Sequence, residues 1–427
     1  MDYSQTTEWL FSQLPMYQRE GKTAYKADLE NSTILDSRFG HPHRKYKTIH
    51  VAGTNGKGSV SHMLASIFQQ AGYKTGLYTS PHLKDFRERI KINGREIPEE
   101  YVTGFVCKNR EFFENLHPSF FEMTSTMAFC WFADENVDIA IIEVGLGGRL
   151  DSTNVITPEL SIITNISLDH TALLGTTLEQ IATEKAGIIK QGVPVVVGSY
   201  NPRYAHILTE TAIGEASPIT FASQNWSNLS YGETTTYTRH NTDSLTERYK
   251  DIQCELKGGY QIENIATVLE AIHTLKERGF TFSENNVIQG IANVVTNTRL
   301  MGRWQILKQK PYTVCDTGHN PGAFEHLVKQ MSAHTHEKLR IVIGMVSDKD
   351  IETVISMLPK DALYYFCKPS IKRAMDEVSL MDIGKRHNLT GNAYPTVQEA
   401  YTAAMNEASP NDMIYIGGST FVVAEVL

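Results

Sequence analysis

Six consecutive residues, Thr54, Asn55, Gly56, Lys57, Gly58 and Ser59, bring together what a terminal phosphate needs: backbone N–H donors freed by glycine, one ammonium and one hydroxyl. They follow Gly53 and a short apolar run at residues 49–51. Glycines let successive N–H groups turn inward on a tight arc, Lys57 supplies a point charge, and a helix starting here points its positive end at the same spot. That helix is legible, because Val60, Met63, Leu64, Ile67 and Phe68 recur at helical spacing and Gly72 stands where a stop belongs. The order is that of a P-loop, although Val51 occupies the first glycine position of G-x-x-x-x-G-K-[ST] and Gly58 separates Lys57 from Ser59. A glycine-rich turn with a surface lysine is the plain alternative, and the flanking strand and helix weigh against it.

Four further residues stand where chemistry could occur. Glu143 interrupts the apolar run 139–144 near its C-terminal end, as expected of a buried parallel strand carrying one carboxylate. Such a carboxylate is costly unless something positive binds it, and beside a P-loop the cheapest partner is Mg²⁺. Ser80 follows a strand at 75–79, on the edge where doubly wound sheets bind ligands, though by spacing alone it is an ordinary loop serine. Lys185 lies on the apolar stripe of a helix expected over 176–190, with Thr176 and Glu179 as its capping box. It either snorkels or is held, desolvated, as a neutral amine for chemistry. Glu122 is either the reciprocal partner of Ser119 in a capping box or a functional carboxylate. Gly145, Gly147 and Gly148 do not make a dinucleotide fingerprint, since Leu150 stands at the required glycine, and G-x-S-x-G fails at Phe421. His41 and His43 flank Pro42 with no carboxylate nearby in sequence and read as a solvated loop.

The elements that must position these groups suit an α/β protein: a P-loop-containing doubly wound sheet domain over residues 1–298, then a smaller Rossmann-like α/β domain over 299–427. Asn93-Gly94 marks a hairpin turn, 99–116 a helix, and Asn264 the start of an apolar helix. Residues 222–259 are polar and lack a clear period. In the second domain, strands at 312–315, 341–344 and 413–416 alternate with loops that include Asp316-Thr317-Gly318-His319-Asn320-Pro321 and residues 347–350. A length of 427 residues with 41% apolar content supports two cores, and a net charge of −8 argues against a nucleic-acid protein. Five scattered cysteines suggest neither a disulfide frame nor a zinc knuckle. With no export signal and no run of about 18 apolar residues, cytoplasmic residence without membrane attachment is expected.

The stretches AGTNGKGS, SPHL, SFFE, EVGLGGRLDSTN, DHT, EKAG, GRWQ and D-x-x-H-N-P run through both halves in one order. Together they resemble the folylpolyglutamate synthase/dihydrofolate synthase family of the Mur ligase superfamily. The resemblance implies an ATP-dependent ligase that adds L-glutamate to dihydropteroate, or to the γ-carboxyl of a reduced folate, through an acyl phosphate. It implies that residues 54–59 hold the ATP phosphates, that Asn264, Arg303, Asp316 and His319 complete the nucleotide site, and that Lys57, Lys185 and His170 serve catalysis. It further implies that Ser80, Glu143, His170 and a carbamylated Lys185 hold two Mg²⁺ ions, and that Phe121, Glu122, Leu150 and Asp151 border the pterin. D-T-G-H-N departs from the more frequent D-G-A-H-N and leaves the local turn open. Partners would be small molecules only, for a monomer. Rival readings are a Mur-type ligase acting on cell-wall precursors, which SPHL and GGRLD oppose, and a nucleotide switch without ligation.

Overall fold

The computed structural model describes residues 1–13, 28–240, 247–347 and 349–427; Asp348, in the loop expected at 347–350, lies outside them. The chain forms two compact units. The first comprises Met1–Ser167, Thr171–Glu255 and Gln261–Arg299, and the second comprises Leu168–His170, Leu256–Tyr260 and Leu300–Leu427.

The first unit is built on eight strands: β1 (Lys47–Ala52), β2 (Thr75–Tyr78), β3 (Ile90–Ile92), β4 (Arg95–Glu96), β5 (Ile139–Glu143), β6 (Leu160–Ile163), β7 (Val195–Val197) and β8 (Ile219–Phe221). Their order is β4-β3-β2-β5-β1-β6-β7-β8. All pairs from β2 to β8 are parallel, and the β3–β4 hairpin adds antiparallel strands beside β2. The doubly wound expectation is met. The hairpin turns at Asn93 and Gly94, both left-handed (φ 46° and 71°), as a primed two-residue turn requires. β5 is buried along its whole length, which is why its sequence runs apolar up to Glu143. The central strands contribute to two apolar clusters, one around Phe120, Met127, Phe132 and Ile142, the other around Ile163, Ile181, Val197 and Leu208.

Several local expectations need correction. The helix expected over 176–190 spans Leu178–Ala186, and its capping box pairs Thr177 with Gln180 rather than Thr176 with Glu179. Gln180 Oε1 accepts from the Thr176 N–H at 2.8 Å, so the chain enters the helix one residue later. The helix expected from Asn264 begins a turn earlier, as Gln261–Glu277. His41 and His43 are not in a solvated loop remote from carboxylates, because Asp36 on the helix Glu30–Arg38 reaches both rings and His43 is 7% exposed.

Residues 222–259, which show no period, contain an antiparallel sheet of β9 (Trp226–Tyr231), β10 (Thr234–Arg239) and β11 (Arg248–Ile252), in the order β11-β10-β9. Of β9 only Trp226 is buried, and Leu229 and Tyr231 are 74% and 89% exposed, so no alternation marks the strand. The sheet is fastened to Gln261–Glu277 through Glu270, which is fully buried. Its carboxylate accepts from Arg239 Nε at 3.0 Å, Trp226 Nε1 at 2.8 Å and Asn225 Nδ2 at 2.7 Å.

The second unit holds β12 (Gln305–Gln309), β13 (Tyr312–Cys315), β14 (Leu339–Ile343), β15 (Leu363–Cys367), β16 (Thr390–Tyr394) and β17 (Met413–Gly417), ordered β12-β13-β17-β14-β15-β16. The pairs are parallel except for the β12–β13 hairpin. Val314, Phe324, Leu327, Ile341, Phe366 and Tyr415 belong to its core. Ser419 caps the helix Thr420–Val426 by accepting from the Val422 N–H, which accounts for a serine in a failed nucleophile motif.

Replacing Glu270 by Ala removes the buried carboxylate that the Arg239 guanidinium is paired with, and loss of one partner of a buried pair costs about 3–5 kcal/mol. Urea unfolding of Glu270→Ala should show a loss of that size, and a loss below about 1 kcal/mol would mean that the pair is no fastening.

Candidate active site

The parallel strand order fixes which loops share one edge of the first unit. β1 pairs with β5 in the register Val51↔Glu143 and with β6 in the register Ala52↔Ile163, while β2 flanks β5 with Tyr78↔Ile142. The C-terminal ends of these strands therefore bring together the 53–56 loop, Ser80, Glu143 and Thr164-Asn165. In open α/β sheets this edge is where ligands bind.

The loop at 53–56 is held from several sides. Thr54 N–H donates to Asn165 O at 2.9 Å and Asn55 N–H to Asn165 Oδ1 at 2.8 Å, while Thr164 Oγ1 donates to Asn55 O at 2.6 Å. Gly53 (φ 144°) and Gly56 (φ 86°) adopt positive φ, and a Cβ on either would collide, with Thr164 Oγ1 and Asn264 Oδ1 respectively. Gly56 is the N-cap of the helix Lys57–Gln70, and no side chain caps that N-terminus. The positive dipole end of the helix therefore faces the loop without a side-chain cap, an arrangement that favours an anion. Gln261 Nε2 donates to Ser59 Oγ at 3.1 Å, and Asn264 Nδ2 donates to Gln261 Oε1 at 2.8 Å, so Gln261–Glu277 seats Asn264 against the loop. Gln261 had no signal in the sequence, since only the packing of that helix brings it to Ser59.

Lys57 Nζ donates to Gly53 O at 3.0 Å, and Lys185 Nζ donates to the same oxygen at 2.9 Å. Two ammonium groups thus converge on one carbonyl. Lys185 is 3% exposed, which disposes of the snorkelling alternative. The loop carrying GLGGRLDSTN sets its helix in place: Arg149 N–H donates to Glu184 O at 2.7 Å, and Asn154 Nδ2 donates to Arg149 O and Gly187 O at 3.0 and 2.9 Å. Glu143, also 3% exposed, accepts the Ser80 N–H at 3.2 Å. An anionic oxygen donor held beside a serine is a donor set that suits a hard dication such as Mg²⁺.

Asp151 is buried and accepts N–H bonds from Leu146 at 2.9 Å and Thr153 at 3.0 Å. Burial nevertheless raises its carboxyl above the usual range, more than these bonds lower it. A Cβ on Gly145 would touch both Asp151 and the Phe121 ring at 3.3 Å, so these two side chains face each other across Gly145, and Leu150 is half-buried beside Asp151 in the chain. Glu122 is a capping carboxylate: it accepts the Ser119 N–H at 2.5 Å while Ser119 Oγ accepts the Glu122 N–H at 3.2 Å. Arg89, which the sequence did not single out, is fully buried with its guanidinium 5.1 and 5.6 Å from the Phe120 and Phe121 rings. Burial lowers it to about 10. His82, in SPHL, accepts from Arg89 Nε at 2.7 Å through Nδ1.

In the second unit Asp316 is the organising carboxylate. It accepts from Tyr260 OH at 2.6 Å and from the N–H groups of Trp304 and Gly318 at 2.7 and 2.8 Å, and burial raises its pKa. Arg303 donates to Gly302 O at 3.2 Å and to Thr317 Oγ1. The unusual threonine in D-T-G-H-N therefore holds Arg303. Asn320 Oδ1 caps Pro321–Ala333 through the Ala323 N–H, and Pro321 at the first helical position completes that start. A second carboxylate, Asp169, accepts from Asn320 Nδ2 at 2.9 Å and Lys349 Nζ at 2.5 Å and lies 3.3 Å from His319 Nε2. Burial raises it, but Lys349, His170 and His319 outweigh that and hold it well below the usual range. His170 sits in this unit at φ 49°, with Nε2 3.2 Å from Lys349 Nζ. The predicted residues thus divide, with Ser80, Glu143, Lys185 and the phosphate loop in the first unit and His170, Arg303, Asp316 and His319 in the second. Lys349 and Tyr260 were not anticipated, because nothing in their own spacing marks them.

Among known families, residues 51–272 match the Mur ligase middle domain and residues 302–420 the Mur ligase glutamate ligase domain. The dihydrofolate synthase/folylpolyglutamate synthase of Bacillus subtilis is 31% identical over 99% of this chain and 98% of its own. A probable bifunctional folylpolyglutamate synthase/dihydropteroate synthase of Haloferax volcanii is 30% identical over 100% of this chain, which spans only 50% of that protein. Among solved structures, Escherichia coli FolC in complex with DHPP and ADP is 29% identical with a TM-score of 0.88, covering 100% of this chain and 97% of that one. A bifunctional folylpolyglutamate synthase/dihydrofolate synthase with Mn, AMPPNP and L-glutamate bound is 27% identical with a TM-score of 0.85, covering 100% and 97%. No helix among the described residues is long and apolar enough to cross a membrane. Matched along both of its units and along nearly the full length of the Bacillus subtilis protein, the chain belongs to the Mur ligase family, in its dihydrofolate synthase/folylpolyglutamate synthase branch.

Proposed function

We propose that the chain is an ATP-dependent carboxylate–amine ligase that adds L-glutamate to dihydropteroate and to the γ-carboxyl of a reduced folate, working as a cytoplasmic monomer. The observation that carries this is the helix Lys57–Gln70, whose N-terminus no side chain caps and whose first residue meets Lys185 at one carbonyl. Solved relatives with ADP and DHPP, or with AMPPNP and L-glutamate, bound agree with the substrates assigned.

A carboxylate is a poor electrophile. In this reading its oxygen attacks the γ-phosphorus of ATP, the bond to the bridging oxygen breaks and ADP leaves, which gives an acyl phosphate. The glutamate amine then attacks the acyl carbon, a C–N bond forms, the C–O bond to phosphate breaks, and the amine loses a proton. Thr54, Asn55, Gly56, Gly58 and Ser59 cradle the phosphates, and Lys57 offsets charge on the group in transfer. Asn264, Arg303, Asp316 and His319 are the further residues assigned to the nucleotide. Phe121 and Leu150 offer apolar surface to the pterin, and Asp151 and Glu122 offer hydrogen bonds to its amino-pyrimidine edge. Ser80, Glu143, His170 and Lys185 would hold two magnesium ions, which when bound neutralise charge on the transferring phosphoryl group.

Purified chain given ATP, L-glutamate and either dihydropteroate or tetrahydrofolate should release ADP only when glutamate and an acceptor are both present, and should extend both acceptors. Lys57→Ala should lower that rate by about a hundredfold or more without shifting thermal unfolding. Product from tetrahydrofolate alone would make this a folylpolyglutamate synthase only. ADP release indifferent to glutamate and acceptor would instead indicate a nucleotide switch.

Lys185 is assigned as an N-carboxylated lysine. Two ammonium groups on one carbonyl repel each other, which favours loss of a proton from Lys185; the neutral amine then adds CO₂ and releases a second proton, leaving a carbamate anion suited to a dication. Lys185→Ala should be inactive and partly restored by formate or acetate. A plain ammonium at Lys185 in a metal-bound crystal structure would refute the assignment.

A further inference from the structure

Among the described residues two clusters of metal-type side chains occur, and the one not used above is Asp36, His41 and His43. Asp36, His41 and His43 each offer a ligand atom, and these atoms all lie within 4.8 Å of one another. We propose that Asp36, His41 and His43 form a binding site for a transition metal of the zinc class, distinct from the magnesium site of the ligase.

The geometry is built by the local backbone. Asp36 ends the helix Glu30–Arg38 by accepting the His41 N–H on its carbonyl at 2.8 Å, and His41 turns left-handed at φ 53°. Pro42 then opens a short 3₁₀ turn, Pro42–Lys45, which Arg44 N–H closes onto His41 O at 3.0 Å. This turn folds both imidazoles back over one carboxylate. His41 Nδ1 is 2.6 Å from Asp36 Oδ2, and His43 Nε2 is 3.2 Å from Asp36 Oδ1.

The second contact is the informative one. His43 Nε2 and Asp36 Oδ1 are both buried and face each other as a pair at 3.2 Å, without the alignment of a good hydrogen bond. Ligand atoms about 2.0–2.1 Å from a tetrahedral ion stand about 3.3 Å from each other, close to the His43–Asp36 separation, whereas His41 Nδ1, hydrogen-bonded to Asp36 Oδ2 at 2.6 Å, must draw back to share the ion. The His43 side chain is 6% exposed and Asp36 11%, while His41 is 39% exposed, so solvent reaches the site from the His41 side and can supply a fourth ligand. Nitrogen donors with one carboxylate select zinc-like ions over magnesium. An ion here would tie Glu30–Arg38 to the start of β1, the strand that leads into the phosphate loop.

The test uses the full chain, stripped with chelator, held in excess Mg²⁺ and titrated with Co²⁺. Wild type should bind one equivalent with the visible bands of a tetrahedral ion, Zn²⁺ should displace it, and Zn²⁺ should raise the unfolding temperature. His41→Asn, in which asparagine accepts the left-handed backbone, and Asp36→Asn should each weaken binding at least about tenfold, since loss of an outer-shell partner alone costs that much. His41→Asn should keep wild-type ligase turnover in Mg²⁺, because His41 is outside the ligase machinery. Absence of the bands in wild type would overturn the proposal. So would unchanged binding in both variants, or loss of the bands in His319→Ala with their retention in His41→Asn, which would place the ion at Asp169, His170 and His319.

Discussion

The first unit depends on the close approach of backbone at Gly53 and Gly56. Both hold positive φ, and both are pressed by side chains, Thr164 and Asn264, that leave no room for a Cβ. Only this conformation turns the Gly53 carbonyl toward two lysines and leaves the first N–H groups of Lys57–Gln70 free of a side-chain cap. The sheet order follows the same need. With β1 between β5 and β6, the loop ends beside Glu143 on one flank and beside Asn165, which anchors it, on the other.

Much of this was legible because buried parallel strands have to be apolar and because a phosphate loop needs glycine, lysine and a hydroxyl in one short arc. The family and the doubly wound fold could be read from those stretches. What escaped depends on contacts between distant segments. Gln261 and Arg89 gain their places only when helices and rings pack around them. The 226–252 sheet turns few side chains inward, so no alternation betrays it. The Asp36 carboxylate reaches His41 and His43 only through a left-handed turn that their sequence does not advertise. The helix carrying Lys185 is capped one residue later than expected, since both Thr176 and Thr177 can cap and Gln180 chooses between them, and it ends at Ala186 rather than at residue 190.

Carboxylates in the second unit show how one environment gives two outcomes. Asp316 is raised by burial among a tyrosine hydroxyl and backbone N–H groups, whereas Asp169, also largely buried, is held low by Lys349 and two imidazoles. A neutral acid can donate a hydrogen bond and a fixed anion can orient cations. Thr317 adds a further contact, for its hydroxyl ties Arg303 beside Asp316 where a glycine would leave that arginine only its bond to the Gly302 carbonyl.

The central claim is that the phosphate loop activates a carboxylate by phosphoryl transfer before the amide forms. It is tested most directly by running the reaction with an acceptor whose reacting carboxylate carries ¹⁸O and examining the inorganic phosphate released. An acyl phosphate hands one carboxylate oxygen to phosphate as the amide bond forms, so the account predicts one ¹⁸O atom per phosphate. Unlabelled phosphate accompanying labelled amide product would contradict it.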